Sequence, residues 1–136
     1  MSIRGAVVVA LGLAALCTVG CKGITTPSDN QNETFSGTLQ PQSEGKGHAF
    51  SVGKTGEFTA KLTAWGPNSN ILAGMAWVVD DGSGSCTGGV LQRNFFVPLN
   101  SQALGGQIVS GKYCIVVFDP GTLTAAQTYT ITVSHP

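Results

Sequence analysis

The amino-acid sequence predicts an all-β domain folded as an antiparallel β-sandwich. Glycine makes up 19 of the 136 residues, and short segments of alternating apolar and polar residues are separated by turn residues. No segment after the N-terminus shows the apolar period of a helix. About seven or eight short strands, with a turn about every eight to twelve residues, are typical of a sandwich.

The longest predicted strand runs through residues 109–121 and has a cysteine near its centre. Both of its faces are apolar, which is the pattern of an interior strand covered on both sides. One face carries Tyr113, Ile115 and Val117, and the other carries Cys114, Val116 and Phe118. We therefore expect the rest of the domain to pack around this strand.

The other strands are predicted from alternation between apolar and polar positions. Residues 41–47 are a predicted polar turn, and residues 89–99, which lack clean alternation, are interpreted as one or two short strands. Residues 104–109 are interpreted as the segment that leads into the central strand. The remaining predicted strands are residues 33–39, 50–52, 58–64, 71–79 and 128–134.

The charge of the chain excludes two classes of partner. The formal net charge is zero, and charged side chains make up 10% of the residues. Attraction to nucleic acid or to an anionic membrane surface needs an excess of Lys and Arg. We expect neither nucleic acid nor an anionic lipid surface to be an electrostatic partner.

Residues 1–20 have the pattern of a signal peptide. Arg4 supplies a positive charge, and the apolar run from residue 6 to residue 16 is too short to span a bilayer comfortably. The run ends in Leu-Cys-Thr-Val-Gly-Cys, which resembles the lipobox of bacterial lipoproteins, although Thr18 stands where that family most often has Leu. An ordinary secreted protein cut near Gly20 is the alternative.

The lipobox resemblance implies cleavage before Cys21, a diacylglyceryl thioether on its sulfur and a further acyl chain, such as palmitate, on its amine. Each buried methylene of such chains contributes about 0.8 kcal/mol, so the protein would be anchored without a membrane-spanning helix. Lys22 follows, and lipoproteins without Asp at that position are commonly passed to the outer membrane, facing the periplasm. Residues 21–32 are polar and predict a flexible tether.

Two cysteines remain once Cys17 has left with the signal peptide and Cys21 has received lipid. In an exported protein the simplest expectation is a disulfide between Cys86 and Cys114. A bridge that closes a loop of this length stabilises the fold by about 3 to 4 kcal/mol. A zinc site would need further ligands, and a redox pair normally shows Cys-x-x-Cys spacing.

Five stretches, taken in order, carry a resemblance to a known family. They are Phe-Ser-Gly-x-Leu at 35–39, Phe-x-Val at 50–52, Gly-x-Phe-x-Ala-x-Leu at 56–62, Gly-Lys-Tyr-Cys-Ile-Val-Val-Phe-Asp at 111–119 and Tyr-Thr-Ile-Thr-Val at 129–133. Residues 33–136 thus resemble the bacterial pre-peptidase C-terminal domain. The resemblance implies a jelly-roll-like sandwich, found beside secreted peptidases or as a free-standing lipoprotein.

The same resemblance implies two kinds of site. Collagen-binding members contact their ligand through aromatic side chains on one sheet face, and calcium lies near an acidic N-terminal segment. Glu33 is the only acidic residue here that is well placed to match that segment. Neither site is therefore carried over to this chain.

The residues themselves offer two candidate binding sites. Trp65, at a strand end, and Tyr129 are candidates for an aromatic platform that stacks on a sugar or a peptide. Asp80 and Asp81 lie in a Gly/Ser loop that could bind calcium, with Asp119 as a third carboxylate if the disulfide brings the loops together. Calcium is the one cofactor considered.

Catalytic motifs are absent from the sequence. Neither Gly-x-Ser-x-Gly nor His-Glu-x-x-His occurs, and the two histidines, His48 and His135, are isolated, the latter at an end expected to fray. We expect a non-enzymatic, lipid-anchored envelope protein whose sandwich is a binding or adhesion module for a polysaccharide or a protein. The alternative is a structural accessory subunit of an envelope or secreted-protease complex.

Overall fold

The computed structural model describes residues 27–136. The predicted signal peptide, Cys21 and the first part of the predicted tether lie outside the described residues. A short 3₁₀ turn at Pro27–Asp29 precedes the first strand, which begins at Gln31, before the predicted boundary at residue 33. Within residues 27–136, no helix is long and apolar enough to cross a membrane.

Eight strands form two four-stranded antiparallel sheets. The strands are β1 (Gln31–Leu39), β2 (Glu44–Val52), β3 (Gly56–Gly66), β4 (Ala73–Val79), β5 (Val90–Val97), β6 (Gln102–Ile108), β7 (Gly111–Phe118) and β8 (Gln127–His135). One sheet has the order β1-β8-β3-β6 and the other has the order β2-β7-β4-β5. This is the arrangement of an eight-stranded jelly roll, and the predicted β-sandwich is confirmed.

The main differences from the prediction concern β2 and β6, while β5 is a single strand, within the prediction of one or two. β2 begins at Glu44, inside the predicted turn, because the pairing with β7 continues past a bulge between Glu44 and Gly47. Residues 90–97 form one strand, and residues 102–108, interpreted as a lead-in, form β6 on β3. Bulges within β5 and the glycines of β6 disturb the alternation that marks a strand in sequence.

The core lies between the sheets and contains a cluster of aromatic rings. The ring of Phe58 lies 4.7 Å from that of Trp77, which in turn lies 5.6 Å from Tyr113, measured between centroids. Phe50 packs beside Phe58 with centroids 5.9 Å apart. Trp77 is therefore a core residue, as its apolar surroundings in the sequence predict.

β7 is an interior strand of its sheet, as predicted, but its outward face is only partly buried. Its inward side chains, Tyr113, Ile115 and Val117, join the main core. On the outward face Cys114 is fully buried and belongs to a second, smaller apolar cluster with Ala76 and Val78. The sheet that contains β7 thus has apolar residues on its solvent side as well as on its core side.

The sandwich is closed along one side by side chains of β5. The carboxamide oxygen of Gln92 accepts a hydrogen bond from the Gly105 amide at 3.0 Å, and the Asn94 amide donates to the Ala103 carbonyl at 3.1 Å. Both bonds satisfy backbone groups of β6, an edge strand. Unpaired groups of an edge strand would otherwise be open to pairing with another chain.

Candidate ligand-binding site

A hollow of about 310 Å³ lies on the outward face of the sheet β2-β7-β4-β5. It spans β4, β5, β7 and the loop before β5, and its exposed lining is about as polar as it is apolar. Its lining comprises Ala76, Val78, Cys86, Thr87, Gly88, Val90, Arg93, Val116 and Phe118. This volume is at the lower end of the range for pockets that bind small molecules.

The hollow exists because the outward side chains of β4 are small. Outward positions alternate along this strand, and they are occupied by Gly74, Ala76 and Val78. The disulfide between Cys86 and Cys114 closes the end of the hollow next to Val78, which confirms the predicted bridge. The small residues of β4 leave space between the larger side chains of β5 and β7.

Phe118 forms the opposite end of the hollow and depends on Gly74. The two residues face each other across β7 and β4, and a Cβ atom at Gly74 would overlap the phenyl ring of Phe118. The ring of Phe95 meets that of Phe118 edge to face, with centroids 5.5 Å apart and an interplanar angle of 83°. Glycine at position 74 thus allows two rings to meet at the rim.

Arg93 lies against both rings. Its guanidinium carbon is 5.7 Å from the centroid of Phe95 and 5.4 Å from that of Phe118, within the range of a cation–π contact. Arg93 pairs with Ala76 across β5 and β4, and its side chain is exposed.

Apolar side chains continue from the hollow onto the surface of β5. Four of them have between 49% and 61% of their surface exposed, namely Val90, Leu91, Phe95 and Phe96. Single exposed apolar residues are normal in proteins, but a contiguous patch marks a contact surface. The hollow and these four side chains are together called the β5 face below.

The predicted aromatic platform of Trp65 and Tyr129 is wrong. The two residues do pair across β3 and β8, but Trp65 is only 9% exposed and Tyr129 only 2%. The Trp65 indole donates a hydrogen bond to the Ile71 carbonyl at 2.5 Å, and both rings belong to the main core. Trp65 follows a bulge in its strand, which turns its ring inward.

The predicted carboxylate cluster is also wrong. β4 and β7 are antiparallel, so Asp80 and Asp81, after β4, lie at one end of the sheet, while Asp119, after β7, lies at the other. The two ends are about 20 Å apart at 3.3 Å per residue. Among residues 27–136, no three His, Cys, Asp or Glu side chains lie close enough together to hold a metal ion.

Asp81 and Asp119 instead accept hydrogen bonds from nearby residues of the turns in which they lie. Asp81 accepts hydrogen bonds from the hydroxyl and the amide of Ser83, which lower the pKa of Asp81. Burial alone would raise the pKa of Asp119. Four backbone N–H groups, those of residues 42, 121, 122 and 123, outweigh burial and lower it.

His48 has no other histidine near it in the sequence, and in the structure it is buried. Its Nε2 lies 2.8 Å from the hydroxyl oxygen of Tyr129, and its ring stacks on Phe35 at 5.2 Å. Burial, and then the positive charge of Lys46, lower the pKa of His48, while burial raises the pKa of Tyr129. His48 lies two residues before Phe50 and four before Val52, so strand alternation places it on the same inward face. This alternation could have predicted from the sequence that His48 is buried.

The C-terminal strand is held in place rather than frayed. His135 is buried, its ring centroid lies 5.1 Å from that of Phe50, and its Nε2 lies 2.7 Å from Glu33 Oε1. β8 pairs along its whole length with β1, which brings His135 opposite Gln31. Glu33 thus contacts a histidine.

The fold and the site define a jelly-roll domain with a hollow on an outward sheet face and Arg93 at its rim. No family model and no curated protein matches the chain. Among solved structures it is similar to the Yersinia pseudotuberculosis-derived mitogen, with 16% identity and a TM-score of 0.54 over 79% of this chain and 87% of that one. This likeness supports the all-β sandwich and nothing beyond the fold.

Proposed function

We propose that the protein is a non-enzymatic binding module, held at the bacterial envelope by lipid on Cys21, and that the β5 face binds its ligand. One observation carries the proposal: a hollow with Arg93 on its rim opens on the solvent side of a sheet, beside exposed aromatic side chains of β5. The resemblance to the pre-peptidase C-terminal domain, a family that includes free-standing lipoproteins, supports the same class of function.

The two outward sheet faces differ in a way that supports this assignment. The outward face of β1-β8-β3-β6 carries hydroxyl side chains, and Ser36 and Thr130 hydrogen-bond across β1 and β8 at 2.9 Å. Hydroxyl side chains are the ordinary solution for a sheet surface in water, although this face also has a hollow beside Trp65. The β5 face instead leaves Phe95 and Phe96 in water, where contact with a ligand would bury their apolar surface.

The lining of the hollow suits binding better than catalysis. Its lining combines aliphatic side chains with Phe118, the disulfide and the polar side chains of Arg93 and Thr87. Apolar walls with a few placed polar groups are typical of sites that hold a ligand in one orientation. We therefore propose recognition without turnover.

A photo-crosslinking experiment tests the proposal in living bacteria. Phe95 is replaced by a benzophenone amino acid in the full chain, and the matched control carries the same group at Thr130 on the other sheet. We expect covalent adducts from position 95 and few from position 130, and mass spectrometry of the adduct identifies a polysaccharide, a protein or a lipid. Equal labelling at the two positions, or none at position 95, would contradict the proposal.

A role as an accessory subunit is the second candidate function. The extent of the β5 face favours this role over the binding of a small molecule in the hollow alone. Leu91 and Phe96 lie outside the hollow and are exposed by half or more. A protein partner seated on this face would cover both. In that case the position 95 adduct contains one protein at stoichiometric yield, and that protein co-purifies with the full chain after mild detergent extraction.

A further inference from the structure

We propose that two copies of this chain pair along the free edge of β5, antiparallel and related by a two-fold axis at Arg93. This inference rests on the proposed function, because it names a second copy as the partner of the β5 face. The observation behind it is the order of polar and apolar residues along β5, which is nearly the same in both directions.

β5 has one edge without a strand partner. It is the last strand in the order β2-β7-β4-β5, so among residues 27–136 no strand pairs with its other side. The side chains of Gln92 and Asn94 bond to backbone groups of β6 in the opposite sheet, and Asn94 also accepts from the Phe96 N–H. These bonds are local and provide no ladder along β5. An edge of this kind is a template for pairing with another chain.

Most of the features that protect an edge strand are absent from β5. Its eight residues include neither proline nor lysine. Its one charged residue, Arg93, lies against the rings of Phe95 and Phe118, and Phe118 belongs to β7, beyond β4. Arg93 therefore directs its charge across the sheet and away from the free edge. β2, at the other edge of the same sheet, carries the exposed Lys46.

The pattern of β5 is self-complementary about Arg93. Two apolar residues, three polar residues and three apolar residues follow one another along the strand. In an antiparallel pair centred on Arg93, Leu91 of one copy lies opposite Phe95 of the other. Val90 lies opposite Phe96 in the same way. A two-fold interface needs a patch that complements itself, so this pattern favours a second copy over a partner of unrelated sequence.

The backbone of β5 has the same symmetry. Relative to β4, β5 has one extra residue after Val90 and one after Asn94, so a bulge lies on each side of the centre. Between the bulges, residues 92–94 pair regularly with β4. A bulge bends a strand and can turn an edge away from a partner. Two strands that bend alike on both sides of a two-fold axis, however, keep matching shapes.

The charge of Arg93 does not oppose the pairing. Its guanidinium lies over β4, beside Ala76 in the lining of the hollow and against the ring of Phe118. In the pair, the two guanidinium groups are separated by about three strand spacings, or about 14 Å. The screening length at physiological salt is about 8 Å, so the repulsion between them is weak.

The exposed apolar surface of β5 agrees with a small dimer interface. Phe95 and Phe96 are 49% and 61% exposed, which leaves about 200 Å² of their surface in water. Val90 and Leu91 are each half exposed and extend the patch to roughly 300 Å². The smaller specific interfaces bury about 600 Å² per partner, of which somewhat more than half is apolar. The patch supplies most of the apolar surface that such a dimer needs.

Mapping of a crosslink on the full chain tests the pairing and its register. The benzophenone amino acid is placed at position 95, and the bacterial membranes are irradiated. We expect an adduct with the mass of two copies, in which peptide mass spectrometry places the link within residues 90–92 of the second copy. The same group at position 130, on the other sheet, is the control and should give little of this adduct. A two-copy adduct linked elsewhere would overturn the inference.

Native mass spectrometry of the full chain, released from detergent micelles, counts the copies. The wild type should be a dimer. Leu91→Lys places a charge at the edge, and because a charged side chain is costly to bury without a partner, the dimer fraction should fall about tenfold. Phe96→Lys, at the other end of the strand, should have the same effect. Both residues are exposed and lie outside the hollow, so the variants are expected to fold, which the melting temperature checks.

Thr34→Lys is the matched control. It adds the same charge to an exposed position of β1, an edge strand of the other sheet, and should leave the dimer intact. A wild-type chain that is monomeric at every concentration, or an equal loss of dimer in the control, would overturn the inference.

The outcomes separate this inference from the proposed function. If the chain is monomeric and position 95 crosslinks to another molecule, the β5 face binds a ligand but a second copy is not its partner. If the chain is monomeric and position 95 gives no adduct, both fail. A dimer linked through residues 90–92 supports both.

Discussion

The Nε2 atom of His48 lies 2.8 Å from the hydroxyl oxygen of Tyr129, between the two sheets. The two residues come from β2 and β8, which belong to different sheets, so this hydrogen bond links the sheets through the core. Gly37, which pairs with Tyr129 across β1 and β8, leaves room for the phenol, since a Cβ atom there would lie 2.5 Å from its oxygen. The pair makes the stability of the domain depend on pH.

Acid is expected to destabilise the domain through His48. Burial and the charge of Lys46 lower the pKa of His48 in the folded state below its usual value of 6.5. The unfolded chain therefore binds this proton first, and the free energy of unfolding should fall as the pH drops below about 6.5. Urea denaturation at pH 7.5 and at pH 5 measures the change.

The His48→Gln variant is the control for the pH experiment. Gln keeps an amide that can bond to Tyr129 but does not titrate, and the other ionisable groups are shared with the wild type. The loss of stability between the two pH values should be smaller in the variant. A loss of the same size in both proteins would show that His48 is not responsible.

Removal of the disulfide should cost a large part of the total stability. Cys86 and Cys114 are separated by 28 residues, and a bridge over a loop of that length is worth about 3 to 4 kcal/mol. We expect the Cys86→Ala, Cys114→Ala double variant to lose about this much in urea denaturation. Reductant should bring the wild type close to the variant and leave the variant unchanged; a reductant-sensitive variant would contradict the account.

Trp65 is expected to act on stability and not on ligand binding. Its indole N–H donates to the Ile71 carbonyl, and Trp65→Phe should cost about 1 to 3 kcal/mol for the unsatisfied acceptor, in addition to lost packing. Trp77→Phe is the matched control, because Trp77 is about equally buried and its Nε1 has no hydrogen-bond partner among residues 27–136. The difference between the two melting curves measures the hydrogen bond.

If Trp65 formed a ligand platform, position 130 on the same sheet would give adducts that Trp65→Phe weakened, while the melting temperature stayed constant. We expect few adducts from position 130 with or without Trp65, and a lowered melting temperature. This comparison tests the corrected assignment of Trp65 to the core.

Gln92 should protect an amide of the neighbouring edge strand from hydrogen exchange. Gln92→Ala removes the acceptor of the Gly105 amide, and we expect exchange at Gly105 to rise by about five- to tenfold, as for the loss of one hydrogen bond. Gln92→Glu keeps a carboxylate acceptor and should keep most of the protection. Exchange that rises equally in both variants would show that the side-chain bond does not protect this amide.

The proposed lipid on Cys21 is tested by fractionation. Cys21→Ser removes the sulfur that the lipobox resemblance assigns to the thioether, so the variant should move from the membrane to the soluble fraction. Cys17→Ser is the matched control, because this cysteine lies in the predicted signal peptide, and it should stay with the membrane. A Cys21→Ser protein that remains membrane-bound would overturn the proposed anchor.

Much of the fold could be predicted because most strands have a recognisable local pattern of apolar and polar residues. Alternation identified β1, β3 and β8, and the two apolar faces of residues 109–121 identified β7 as an interior strand, as the structure confirms. β6 was missed because its glycines carry no side-chain pattern. The pairing of Cys86 with Cys114 followed from counting cysteines and needed no geometry.

The candidate sites were harder to predict because they depend on which residues meet in space. Asp119 was separated from Asp80 by the antiparallel pairing of β4 and β7, which no local pattern reveals. Trp65 was turned into the core by a bulge in β3. Arg93 drew no attention in the sequence, because a single arginine among polar residues is usually a solvated side chain.

By itself, the sequence determined the fold class, the interior position of β7 and the disulfide, because strand periodicity and cysteine number are local or countable properties. Only the tertiary structure decided where the proposed binding surface lies. It placed Gly74 of β4 beneath Phe118 of β7, and Arg93 of β5 against that ring. Contacts among three strands far apart in the chain follow from sheet order, which the alternation within each strand does not encode.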